Sequence, residues 1–283
     1  MNYQDCNVLP EDCISTILSF TTPQDTCRSL SVSSLFHIAA DSDVVWDKFL
    51  PSNYQYIISQ SVSPIVFSSK KHLFFQLQNP TFIDHGNKML SLERSTGKIT
   101  CMLSAKELSI AGSDDPMEWI WMSSPESRFS DVAELRSSTR LEIKGKIRSN
   151  TLSPKTNYAA YLVMKLTDCS YGLDSLPSEL SIEVRNKVSK SRAYLRRNDS
   201  KKQWLEQLYY SNRVQMLRSR VSSEGIEGIA QERKDGWMEI ELGEFYNDVG
   251  NCEIKMSLME VKGDQLKGGL VIEGIELRPK SSK

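Results

Sequence analysis

The chain has 283 residues, a length that suggests about two domains of roughly 150 residues each. Hydrophobic residues make up 39% and charged residues 25%, which is ordinary globular composition and argues against wholesale disorder. A formal net charge of -1 gives the chain as a whole no electrostatic reason to bind nucleic acid or an anionic membrane. We therefore expect neither of these partners.

The six cysteines show neither a C-x-x-C pair nor the spacing of a zinc site. No apolar run is long enough to cross a bilayer, and the N-terminus lacks the features of a secretory signal. These observations predict a cytoplasmic or nuclear protein with reduced thiols and no cofactor. The patterns G-x-S-x-G, H-E-x-x-H and the P-loop do not occur, so we expect a non-catalytic protein.

Short helices with clear start signals are predicted between residues 9 and 50. Pro10 occupies a first helical position and is followed by two acids, which suit the positive end of a helix dipole. Thr22-Pro23-Gln24-Asp25 combines an N-cap threonine with a proline at the first helical position and an acid three residues on. Two further short helices are expected near 34–40 and 45–50.

From residue 101 onward the hydrophobic period shifts to two. The segments 141–147, 238–242 and 254–258 alternate apolar and polar residues, as strands with one buried and one wet face do. The segments 159–166 and 270–277 are apolar throughout, which is typical of strands covered on both faces. Many strands without intervening helices predict an antiparallel sandwich, so the fold class is multidomain, α then β.

Residues 185–235 break this rhythm, with 13 basic and 6 acidic residues and a net charge of +7. We expect a long, partly helical excursion between two strands, with a helix over 201–217. One interpretation is a solvated surface insertion. The other is a basic patch that binds an acidic partner or serves nuclear import.

An ordered series of residues between 9 and 51 matches a known pattern. It comprises Leu9-Pro10-Glu11-Asp12, Ile17-Leu18, Thr22-Pro23-Gln24-Asp25, Leu30-Ser31-Val32-Ser33, Phe36, Ala39-Ala40 and Asp43-Val44-Val45-Trp46. This series resembles an F-box, whose family members are substrate receptors of cullin-type ubiquitin ligases. The resemblance implies docking on a Skp-type adaptor and, through it, on a cullin. The residues that it implies as adaptor contacts are Leu9, Pro10, Ile14, Ile17, Leu18, Pro23, Leu30, Val32, Val45 and Trp46.

Residues 101–280 carry a second and longer resemblance. The segments that carry it include Leu103-Ser-Ala-Lys-Glu-Leu-Ser-Ile110, Leu141-Glu-Ile-Lys-Gly-Lys-Ile147 and Asp235-Gly-Trp-Met-Glu-Ile-Glu-Leu. They are similar to the phloem lectin (phloem protein two) family of plants, related to Nictaba, which implies a jelly-roll-like antiparallel β-sandwich. The domains are accordingly assigned as a small helical F-box at 1–51, a partly helical connector at 52–100 and the sandwich at 101–283.

Lectin members of that family bind N-acetylglucosamine oligomers or N-glycan cores, with two tryptophans stacked on sugar faces and two glutamates accepting sugar hydrogen bonds. The resemblance places Trp119, Glu253 and Glu260 at three of these carbohydrate-binding positions. Gly112 stands at the other tryptophan position, and Leu266 at a further family tryptophan. The two glutamates are seven residues apart, which in an ideal strand points them to opposite faces.

The two resemblances together imply a substrate-recognition subunit of an SCF-type E3 ubiquitin ligase, whose sandwich binds a protein or glycoprotein target. The alternative is a carbohydrate-binding lectin that acts without ligase assembly. A third hypothesis is a sandwich that binds protein through the basic segment 185–235.

Overall fold

The computed structural model describes residues 9–196, 227–260 and 265–280. The chain forms two compact units, Met1–Met102 with Thr151–Pro154, and Leu103–Asn150 with Lys155–Lys283. Helices dominate the first unit and antiparallel strands the second, so the predicted order of a helical F-box followed by a β-sandwich is confirmed. Within these ranges, no helix has the length and apolar character needed to cross a membrane.

The first unit contains six short helices. They are α1 (Glu11–Leu18), α2 (Pro23–Ser29), α3 (Ser34–Asp41), α4 (Asp43–Phe49), α5 (Tyr54–Gln60) and α6 (Lys70–Gln76). The predicted start of α2 is confirmed, because the Thr22 hydroxyl accepts a hydrogen bond from the Asp25 N–H at 3.1 Å. Ser33, Ser42 and Ser69 cap α3, α4 and α6 in the same way.

Two strands follow in this unit, β1 (Thr81–Ile83) and β2 (Lys88–Leu92), which pair antiparallel. The boundary between the units falls within β3 (Ile99–Ser104).

The second unit contains two sheets. Its strands are β4 (Ser109–Ile110), β5 (Trp119–Met122), β6 (Val132–Leu135), β7 (Leu141–Arg148), β8 (Thr156–Tyr171), β9 (Ser178–Val184), β10 (Lys187–Tyr194), β11 (Glu227–Ile229), β12 (Gln231–Glu232), β13 (Met238–Asn247), β14 (Glu253–Glu260) and β15 (Gly268–Pro279). In sheet I the order is β15-β8-β13-β12, with β6 beside β15 and β5 beside β6. In sheet II the order is β11-β10-β9-β14-β7-β4.

Burial along the strands follows the sequence pattern. Every second residue of β7 faces the core, beginning with Leu141 and Ile143, and the residues between them face solvent. Strand β15 is buried on both faces over most of its length. A close backbone approach requires glycine here, because a Cβ at Gly274 would lie only 1.9 Å from the Leu103 carbonyl oxygen.

The basic segment 185–235 differs from its prediction at both ends. Residues Lys187–Tyr194 form β10, and residues 227–232 contribute β11 and β12, so both ends belong to the sandwich. Its central part, including the predicted helix over 201–217, lies outside the described residues.

Candidate functional site

Half of the predicted adaptor contacts lie in the core of the helical unit. These buried residues are Ile14, Leu18, Pro23, Val45 and Trp46. The Trp46 indole Nε1 donates a hydrogen bond to the Ala40 carbonyl at 2.6 Å, and its ring centroid lies 5.6 Å from that of Phe49 and 5.1 Å from that of Phe74. These side chains hold the helices together and present no surface to a partner.

The other half is accessible to a partner. Leu9, Pro10, Ile17 and Val32 are exposed, and Leu30 is half-buried. Sequence reasoning missed three further exposed apolar side chains of this unit: Phe20 in the turn after α1, Ile38 in α3 and Val44 in α4. Phe20, which is 86% exposed, comes three residues after Ile17, a spacing that could have identified it.

These accessible residues come from neighbouring elements. Helices α1 and α3 lie side by side, and the Ser15 hydroxyl of α1 donates to the Ala39 carbonyl of α3 at 3.4 Å. We use the name apolar docking surface for Leu9, Ile17, Phe20, Val32, Ile38 and Val44. Several large apolar side chains left exposed on one small unit favour a protein-interaction site.

In the sandwich, the two tryptophans of β5 point to the same side of the strand and differ in exposure. Trp119 is 1% exposed and Trp121 37%. Their indole nitrogens donate to the Ala111 and Ser113 carbonyls at 3.1 and 3.3 Å, respectively. The Trp119 ring therefore lies beneath the loop that precedes β5, and its faces are not available to stack on a sugar.

Glu260 is also buried. Its carboxylate lies 3.0 Å from the Lys267 ammonium, and both side chains are at most 3% exposed. The Lys267 ammonium also donates to the carbonyls of Thr139 and Gln265, at 2.9 and 3.1 Å. A buried carboxylate whose charge is balanced by an ammonium group in this way stabilises the fold, because removing it would leave the buried charge of Lys267 unpaired.

Glu253 and Glu260 stand at opposite ends of strand β14. The antiparallel pairing of β14 with β7 runs without a register shift from Glu253, opposite Arg148, to Glu260, opposite Leu141. Seven residues of strand span about 23 Å, and the odd spacing turns Glu253 to solvent and Glu260 to the interior. The predicted trio is therefore not brought together: Trp119 lies in sheet I, and the two glutamates lie at opposite ends of a strand in sheet II.

At the family's other tryptophan position, the backbone conformation of this chain favours glycine. Gly112 has a φ of +76°, and a Cβ there would lie 2.1 Å from a carboxylate oxygen of Glu118. Leu266, at the further family tryptophan position, is exposed.

A cluster of charged residues on sheet I was not predicted, because its members are far apart in the sequence. The Arg128 guanidinium lies 3.1 Å from both Asp235 and Glu273, and that of Arg233 lies 2.5 Å from Glu276. Burial raises the pKa of Glu273, although Arg128 opposes this shift with its backbone N–H and its charge. Each carboxylate of this cluster is held by arginine, so the cluster ties loop residues to the sheet.

Among the described residues, no group of three or more histidine, cysteine, aspartate or glutamate side chains is arranged to hold a metal ion. The helical unit with its apolar docking surface, followed by the two-sheet sandwich, defines a class: an F-box protein with a lectin-type β-sandwich.

Comparisons with known proteins agree with this class. The family described as phloem protein 2 matches residues 98–279. Three relatives from Arabidopsis thaliana are each 48% identical: F-box protein PP2-B15 (98% of this chain and 98% of the relative), F-box protein PP2-B13 (96% and 98%) and F-box protein VBF (97% and 99%). The chain belongs to the phloem protein 2 family, among its members with an F-box. Neither this family nor these names indicate an enzyme.

Proposed function

We propose that this chain is the substrate-recognition subunit of an SCF-type E3 ubiquitin ligase. The helical unit docks on a Skp-type adaptor, which links it to a cullin, and the sandwich binds the target protein or glycoprotein. Ubiquitin transfer takes place in the partner subunits, so this chain contributes proximity and orientation and needs no catalytic group. We assign the complex to the cytoplasm or the nucleus.

The observation that carries this proposal is the apolar docking surface. Burying a large aliphatic or aromatic side chain contributes about 1.5–3 kcal/mol, so Ile17 and Phe20 together could supply about 3–6 kcal/mol. A micromolar complex requires about 8 kcal/mol, and the remaining exposed apolar side chains of the surface lie on the same helical unit. A partner that covers these residues would also shield them from water.

Binding of the full-length chain to a purified Skp-type adaptor tests the proposal. We expect the double substitution Ile17→Glu and Phe20→Glu to weaken binding at least about 100-fold, because two apolar contacts are replaced by desolvated charges. Val66→Glu is the matched control, since Val66 is similarly exposed but lies outside the docking surface. Adaptor binding that survives the double substitution, or that is lost equally in the control, would contradict the proposal.

Leu18 and Trp46 are unsuitable for this test because both are buried. Replacing either would disturb the core of the helical unit, and a loss of adaptor binding would then report unfolding.

The alternative of a lectin without ligase assembly depended on Trp119, Glu253 and Glu260 acting together. Their separation across two sheets gives that alternative no support at these residues. The third hypothesis, protein binding through the basic segment, falls mostly on residues outside the described ranges.

A further inference from the structure

Strand β5 (Trp119–Met122) forms an edge of sheet I, because β6 is its only partner among the described strands. Edge strands usually carry a charged residue, a proline or a bulge that prevents pairing with another chain. Strand β5 has the sequence Trp-Ile-Trp-Met, and its register with β6 runs without a shift. This strand therefore has none of those protective features.

The main-chain groups of β5 alternate between the two sides of the strand. The Arg136 N–H donates to the Glu118 carbonyl at 2.7 Å, which fixes this alternation in the ladder between β5 and β6. Every second residue of an antiparallel strand bonds to its neighbour, so Ile120 and Met122 use their main-chain groups on β6. The N–H and C=O of Trp121 consequently point away from β6, and neither has a hydrogen-bond partner among the described residues.

The side chains at this edge are large, apolar and accessible. Trp121 is 37% exposed, Met122 is 40% exposed, and Met117, which comes just before the strand, is 76% exposed. The Trp121 indole is held by its hydrogen bond to the Ser113 carbonyl, so covering it orders little that is not already fixed. Tryptophan is enriched among the residues that dominate binding energy in protein interfaces. A polypeptide that pairs with β5 can therefore anchor on Trp121.

The charges beside the edge are mainly acidic. Asp114 and Glu118 lie in the loop before β5, and Glu134 lies on β6. These three carboxylates form no ion pair or hydrogen bond with any part of the chain that the structure describes. Arg136, just after β6, offsets one of the three charges. The remaining negative charge favours a partner that carries lysine or arginine.

We propose that the edge of β5 binds an extended segment of the target protein, which adds a strand to sheet I and carries apolar and basic side chains. The main chain of this segment pairs with that of Trp121, an apolar side chain packs on the Trp121 ring, and lysine or arginine faces the carboxylates. The inference rests on the proposed function only for the origin of the segment in the target. Pairing at the edge leaves the Trp119 ring in the core and needs neither Glu253 nor Glu260.

Titration of the full-length chain with a short synthetic peptide tests this inference. The peptide has about eight residues, alternating lysine and valine, with both ends capped, and we expect a Kd below about 1 mM. Two altered peptides should each bind at least about tenfold more weakly. One has glutamate in place of lysine, which reverses the charge. The other is methylated on two consecutive central amide nitrogens, which blocks main-chain pairing on both of its edges.

Two substitutions in the chain separate the side-chain contribution from the main-chain contribution. Trp121→Ala removes the anchor and should weaken peptide binding about tenfold. Trp121→Pro also removes the outward N–H and should weaken binding further, while the ladder with β6 does not use this group and tolerates proline. Tyr56→Ala should leave binding unchanged, and it is the matched control because Tyr56 is an exposed aromatic residue of α5 in the helical unit.

Several results would overturn the inference: no binding of the lysine–valine peptide, equal binding of the methylated peptide, or an unchanged Kd in Trp121→Ala. The methylated peptide and Trp121→Ala keep the test valid even if Trp121→Pro fails to fold. Adaptor binding measured on the same samples separates the two proposals. Loss of peptide binding with intact adaptor binding concerns the edge alone, and absence of adaptor binding with intact peptide binding concerns the proposed function alone.

Discussion

The Lys267 ammonium lies 3.0 Å from the Glu260 carboxylate, and both side chains are buried within the sandwich. The second carboxylate oxygen of Glu260 has no hydrogen-bond partner among the described residues. A sugar hydroxyl would have to reach this oxygen through packed protein. The family position that Glu260 occupies is therefore used here to hold the end of β14 against the residue that precedes β15.

Replacing Glu260 should consequently reduce stability. We expect Glu260→Ala to lower the free energy of unfolding by about 3–5 kcal/mol, because it leaves the Lys267 charge buried without a partner. Glu253→Ala, on the same strand but exposed, should change it by at most about 0.5 kcal/mol. Denaturant unfolding of both variants measures the difference. Equal effects of the two substitutions would show that the buried pair has no such role.

The tryptophans of β5 offer a second comparison within one strand. Trp119→Ala should cost about 3–5 kcal/mol, as is usual for truncating a buried aromatic side chain. Trp121 shares the same side of the strand but is 37% exposed, so Trp121→Ala should cost about 1 kcal/mol. Thermal and denaturant unfolding check both values. A mild effect at Trp119 would mean that its ring is not part of the core and would reopen a stacking role for it.

The helices and strands could be predicted because their signals are local. The Thr22 cap and the alternation over 141–147 depend only on residues a few positions apart, and both are found as expected. The odd spacing of Glu253 and Glu260 likewise indicated opposite faces, which their exposure confirms.

The functional surfaces were harder to predict because they depend on distant elements. Helical spacing places Ile14 and Ile17 in α1 but does not say which of them the other helices cover. Trp46 is buried partly by Phe74, which comes 28 residues later. The arrangement of side chains on the outer face of sheet II is set by the register of β7 with β14, which are more than 100 residues apart. No local pattern encodes such a register.

Gly112 provides a third prediction. Gly112→Trp should lower the free energy of unfolding by about 1–2 kcal/mol and should not create a sugar site, because a side chain at a φ of +76° is strained and would displace the Glu118 carboxylate. Leu266→Trp introduces the same side chain at an exposed position and should be nearly neutral in stability. Unfolding and chitotriose titration of both variants test this. A stable Gly112→Trp variant that gains sugar affinity would contradict it.

The pH dependence of stability provides the last prediction, through Glu142. Hydrogen bonds from Lys144 and then Arg140 lower the pKa of Glu142 below its ordinary value of 4.5. Because the pKa is lower in the folded state, the carboxylate stabilises the fold above about pH 4.5, and this contribution is lost as the pH falls through the folded-state pKa.

The free energy of unfolding of Glu142→Gln should therefore be lower than that of the unmodified chain near neutral pH, and the difference should shrink as the solution is acidified. Urea unfolding across this pH range measures it. High salt should reduce the difference at neutral pH, since Lys144 and Arg140 are largely exposed and their attraction is screened. A difference that stays constant with pH would mean that the Glu142 charge does not contribute.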